Sequence, residues 1–154
     1  MPLPHHLANH FRQVYFGGNW TGVHLQPLVQ DVDCKMANEK YASLNSILAI
    51  VYHIHYYVQA VTKVLEGGPL DAHDTLSFNH PVIDNQGAWD YMLQTVWDGG
   101  ERFAKAVESL PQDRLGQTMA DPKYGAWLRN ILGVIEHTHY HTGQIAIIKK
   151  LLHQ

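Results

Sequence analysis

Apolar residues recur at three- and four-residue spacing through four long stretches of the chain. In the clearest, about 85–109, Trp89, Leu93, Val96, Gly100, Phe103, Val107 and Leu110 fall on one side of a helix. Asp90, Gln94, Asp98, Glu101, Lys105 and Glu108 fall on the other, and Asp84 stands where an N-cap belongs. The last stretch, about 125–152, carries the same spacing through Trp127, Ile131, Val134, Ile145 and Ile148. A third covers about 43–66, opened by Ser43 or Asn45 and stopped at Gly67. The first, 3–16, is opened by prolines and closed by Gly17 and Gly18, and a short turn of helix is expected around 21–30. Gly99 and Gly100 sit inside the 85–109 helix, where each costs roughly 1 kcal/mol relative to alanine. Either the helix bends there or a neighbour packs very close.

Glycine- and proline-bearing segments separate these stretches: "FGGNWTG" at 16–22, "EGGP" at 66–69, a loop at 70–81 and another at 110–125. There is no strand pattern, internal repeat or low-complexity tract. The chain of 154 residues is one domain's worth. The expected architecture is therefore all-α, a single four-helix bundle domain over 1–154. The long 67–83 connection leaves room for a topology other than up-down-up-down.

Composition narrows the function more than the fold. An apolar fraction of 45% with 16% charged residues is that of a folded globular protein. With 11 Lys+Arg against 14 Asp+Glu there is no basic stripe, so no nucleic-acid partner is expected. The single cysteine, Cys34, excludes an intrachain disulfide and a cysteine-only zinc site; a small buried residue is its ordinary role. The N-terminal stretch lacks a secretory pattern. The apolar-rich run 44–61 is broken by Asn45, Ser46, His53, His55 and Gln59. A cytoplasmic protein without a membrane partner is the expectation.

Twelve histidines change the picture. Seven are scattered, and five form two clusters, "YHIHYY" at 52–57 and "HTHYH" at 137–141. The alternation in the second suggests a strand, but the helical spacing runs through it for too many residues. At ~100° per residue, His137 and His141 share a face with Trp127, Val134, Ile145 and Ile148, whereas His139 points nearly the opposite way. Two imidazoles one turn apart on a buried face need partners for their ring nitrogens, and a divalent metal is the natural shared one. A core pair satisfied by tyrosine, Gln144 or water is the alternative. On the second helix, His53 and His55 flank the apolar face on opposite edges. His53 lies beside Ala49 and Ala60, and the wheel leaves the choice between the two open. Glu136 precedes His137 instead of following it, so the H-E-x-x-H arrangement of zinc proteases is absent. Tyr56, Tyr57 and Tyr140 read as packing and interface residues.

The string "HTHYHTGQI" (137–145) resembles the signature of the DinB/YfiT-like superfamily of four-helix-bundle metalloproteins, in which an H-x-x-x-H pair is followed by x-G-Q. "LAIVYHIHYYV" (48–58), Trp89 and the "KYG" before the last helix extend the likeness over essentially the whole chain. The resemblance implies a third ligand at His53, and hence a zinc, nickel or iron ion on His53, His137 and His141. It also implies a homodimer and, by analogy with characterised relatives, chemistry with a low-molecular-weight thiol. Three neutral imidazoles leave a metal an open position, the catalytic pattern. A thiol-dependent transferase acting on a small-molecule substrate is the leading expectation. A hydrolase using metal-bound hydroxide, or a non-enzymatic binding protein stabilised by its metal, are the alternatives.

Overall fold

The computed structural model describes residues 1–153. Among them are six α-helices: α1 (Leu3–Phe16), α2 (Leu25–Val29), α3 (Cys34–Asn38), α4 (Ile47–Leu65), α5 (Gln86–Glu108) and α6 (Trp127–Leu152). Three short 3-10 segments accompany them, and no strand forms among the described residues.

The four long helices start and stop close to their expected positions, with small shifts that have local causes. The second opens later than expected. Ala42 takes a left-handed φ of 50°, which keeps 41–45 out of the helix, and the Ser46 hydroxyl accepts from the Ala49 amide at 3.2 Å. Ser46 is thus the cap, in place of Ser43 or Asn45. Asn85 caps α5 by accepting from the Ala88 amide at 2.9 Å, and the neighbouring Asp84 accepts from the Asn85 side chain instead. At α6, Gly125 has φ +73° and the chain around it pairs back on itself, with the Met119 amide donating to Gly125 O and the Trp127 amide to Gln117 O. The helix therefore begins at Trp127 and not 125. The turn expected around 21–30 is α2; α3, capped by Asp33, adds to it.

α5 packs against α1 and α4, and α6 packs against the same two helices from the other side. The cyclic order is α1, α5, α4, α6. Phe11 meets Phe103 and Tyr15 meets Trp97, so α1 and α5 are antiparallel. His53 of α4 meets His137 and His141 of α6, while Val61 shares a groove with Asn130 and Val134, so these two are antiparallel as well. By contrast, His55 and Gln59 lie against Gly99 while Glu66 reaches forward to Arg102, which makes α4 and α5 parallel. The bundle thus runs up-down-down-up. The 67–83 connection makes this possible by carrying the chain back along the bundle before α5 begins.

Gly99 and Gly100 are close-approach glycines. A β-carbon on Gly100 would lie 2.5 Å from the Tyr15 ring, and one on Gly99 would lie 2.3 Å from the Gln59 amide and 2.7 Å from the His55 ring. Their helical cost admits α1 and α4 to near-backbone contact with α5. Tyr15 in turn stacks on Phe11, and Phe11 packs at a tilt against Phe103, forming the aromatic centre of the core. At the edge of that interface the Arg12 guanidinium grips Glu101 and Glu108 together. On the opposite end, the indole of buried Trp89 donates to Val32 O at 2.7 Å and ties the α2–α3 segment to the bundle.

Candidate metal centre

The buried stripe of α6 runs through Ile131, Val134, Ile135, Thr138, Thr142, Ile145 and Ile148. Its centre is held by two fully buried threonines whose hydroxyls donate back to the carbonyls of Val134 (2.8 Å) and Thr138 (2.7 Å). That placement corrects the sequence reading. With Thr138 and Thr142 at the centre, His137 and His141 occupy one shoulder of the stripe, half-buried and facing α4. His139 takes the opposite shoulder and is itself half-buried, its Nδ1 enclosed without a hydrogen-bond partner. Among the described residues it belongs to no three-residue metal-ligating group, but it does not stand free of the protein.

Across from this shoulder α4 presents His53. Its Nε2 lies 3.0 Å from Nε2 of His137, and its ring centroid lies 4.7 Å from that of His141. One ring nitrogen from each of the three residues falls within 4.8 Å of the others, close enough to hold a metal ion. Zinc–nitrogen bonds of ~2.0–2.1 Å in tetrahedral geometry place ligand nitrogens about 3.3 Å apart, so the spacing suits such an ion. His55, the other α4 candidate, turns toward α5 and packs on Gly99, away from this group. Burial there pushes its pKa down to about 4.

Hydrogen bonds and aromatic rings fix the three imidazoles. Nδ1 of His141 is 2.7 Å from Oε1 of Gln144, whose amide nitrogen donates to the Tyr140 hydroxyl. His53 carries Phe78 stacked on one face, with centroids 4.0 Å apart and planes within 7°. Tyr57 stands edge-on to both His53 and His137. Phe78 lies in the 67–83 connection, which is pinned to α4 twice: the Tyr57 hydroxyl donates to Asp74, and the His73 amide donates to the Tyr56 hydroxyl at 2.8 Å. Burial lowers the pKa of all three histidines, with that of His137 falling to about 4 and the neighbouring imidazoles adding to the effect at His53 and His137. The Ser77 backbone beside His53 offsets part of its drop, without bringing Nδ1 into hydrogen-bond geometry. Neutral imidazoles are the ligand-competent form.

The chain matches no family model, no curated protein and no solved structure.

The geometry therefore stands on its own residues. Glu136 is exposed, and neither it nor Cys34 joins the histidine group. Cys34 lies at the start of α3, where its amide donates to Gln86. Tyr57 and Tyr140 do pack as expected, but against the histidines themselves. Two participants, Phe78 and Asp74, escaped the sequence reading, whereas Gln144 stands in it as a candidate partner of the histidine pair. Gln144 was legible through its i, i+3 spacing from His141 on one helix. No described helix is long and apolar enough to cross a membrane.

Proposed function

We propose that this is a divalent-metal protein of the DinB/YfiT-like type, holding zinc, nickel or iron on His53, His137 and His141 and catalysing transfer to or from a low-molecular-weight thiol. The observation that carries the reading is the convergence of three neutral imidazoles from two helices on one point, with the closest nitrogens 3.0 Å apart. A divalent ion bound this way keeps an open position and lowers the pKa of a thiol or water placed there. Gln144 holds His141 in the tautomer that leaves Nε2 free. Phe78 covers His53 and keeps water from that side, while Tyr57 and Asp74 hold the covering segment in place.

A thiol is favoured over hydrolysis because three carboxylates on α5 and the 67–83 connection that could serve as a base are engaged by other side chains. Asp74 accepts from Tyr57, Asp98 from Gln94, and Glu101 is clamped by Arg12. None of these three is free to act as a general base, and Glu136, exposed on the groove beside His137, is not part of the histidine group. The reading extends to a homodimer and a small-molecule substrate, as the resemblance implies.

Elemental analysis of protein purified from metal-replete medium without a nickel column tests the proposal. Wild type should retain about one equivalent of divalent metal, and His137→Ala and His141→Ala should retain little. Wild type and variants equally free of metal would sink it. Thiol conjugation that vanishes in the same variants supports transfer; ester or amide cleavage without thiol supports hydrolysis. A lower Tm on chelation with no turnover of either kind points to a metal-stabilised binding protein.

A further inference from the structure

A groove of about 310 Å3 opens directly beside His137, lined by Tyr57, Val61, Arg129, Asn130, Gly133, Val134, Glu136 and His137. Four larger clefts, of about 560, 660, 690 and 700 Å3, lie elsewhere on the surface, and none touches any of the three histidines. Of these, the smaller groove is the one that reaches the candidate centre, at His137.

Its lining has a direction. At one end are His137 and Tyr57; at the other, eight residues and about 12 Å along the helix axis, is Arg129. Between them the walls are the buried Val61 and Val134. Gly133 keeps the space open: a β-carbon added there meets nothing within 4 Å. Arg129 gives one N–H to the Tyr124 carbonyl at 3.0 Å and has no carboxylate partner among the described residues. Glu136, at the histidine end, repels an anion there.

We infer that this groove binds the substrate of the three-histidine site, and that the substrate is an elongated molecule with an apolar middle and an anionic group at the Arg129 end. The inference rests on the three-histidine site being the reactive centre. The charge pattern sets the orientation, since Arg129 draws the anion to the far end and Glu136 discourages the reverse placement. The uncharged or sulfur-bearing end then meets His137. With the thiol reading, the substrate class becomes an anionic low-molecular-weight thiol.

The probes are mercaptohexanoate and mercaptohexanol, matched in length and differing in the terminal charge. They are titrated into full-length cobalt-loaded protein and followed by the sulfur-to-cobalt charge-transfer band. Mercaptohexanoate should bind the wild type roughly tenfold more tightly, as a charge-assisted bond predicts. Arg129→Gln should erase that difference. Gly133→Leu, which fills open space, should weaken both probes while cobalt content and helical circular dichroism stay unchanged. Equal binding of the two probes to wild type, or a preference that survives Arg129→Gln, overturns the inference and leaves the thiol reading standing. If neither thiol gives a band, calorimetry with hexanoate and hexanol decides. A hexanoate preference lost in Arg129→Gln keeps the groove and removes the thiol; no preference overturns the groove as well.

Discussion

Gln144 fixes the tautomer of His141. Its carbonyl Oε1, an acceptor, lies 2.7 Å from Nδ1 of His141, and its amide nitrogen donates to the Tyr140 hydroxyl at 3.1 Å. Nδ1 must donate, and the lone pair of Nε2 is left facing the cluster. Removing such an outer partner typically costs 10–100-fold in metal affinity. Gln144→Leu should weaken divalent-metal binding by about that factor in competition with a chromophoric chelator. Gln144→Glu keeps an acceptor and should stay near wild type. Equal affinities for Gln144→Leu and wild type would remove the glutamine from the site.

Phe78 covers His53 without being buried itself. The histidine is 8% exposed and the phenylalanine 39%. Phe78→Ala should uncover one face of the imidazole, and Tyr57→Phe should release the segment at Asp74. Both variants are expected to lose metal to excess chelator faster than wild type while equilibrium affinity changes less. Unchanged extraction rates in both would show that the segment does not gate access.

The glycines of the two long central helices should respond in opposite directions to alanine. Gly100→Ala drives a methyl into the Tyr15 ring, which Phe11 and Trp97 hold in place. Overpacking of this kind costs about 1–3 kcal/mol, more than the roughly 1 kcal/mol gained in helix propensity. Gly143→Ala meets nothing within 4 Å and should be neutral or stabilising by up to ~1 kcal/mol. Urea midpoints of the two variants provide the check.

The metal-free protein should lose stability as pH falls below neutrality. His55 and His137 have folded pKa values near about 4, against an ordinary 6.5. Between those values the unfolded chain binds more protons than the folded one, so stability rises with pH in this window. Their contribution is complete above about 6.5, falls through the window and is gone below about 4. Urea unfolding at pH 7.5 and pH 5 should show a lower midpoint at the acid value. His55→Asn should flatten the difference, and a midpoint independent of pH in wild type would contradict the burial assigned to both residues.

The bundle's long helices were legible because apolar spacing and terminal glycines act within a few residues. Their caps were not: Asp84 and Asn85 are equally plausible neighbours, and only the Ala88 amide chooses between them. The same limit applied to the site. His137 and His141 announce themselves by spacing on one helix. The choice of His53 over His55 depends on which side of α4 meets α6, a matter of packing. Gly99 and Gly100 left a bend or a close neighbour open for the same reason, and Tyr15 supplied the answer from 85 positions away in the chain. Phe78 and Asp74 sit in a connection without periodicity, where no pattern marks a residue's eventual neighbour.

His53 and His137 touch across 84 residues of sequence. No local segment can assemble that meeting, since α4 and α6 come together only in the closed bundle. An ion held there binds the folded chain more tightly than the unfolded one, whose twelve histidines offer only weaker, scattered ligands. Its concentration thereby becomes a thermodynamic handle on folding. At a free concentration one hundred times its Kd it would add about 2.7 kcal/mol to the unfolding free energy. Removing the ion would lower the unfolding free energy by the same amount.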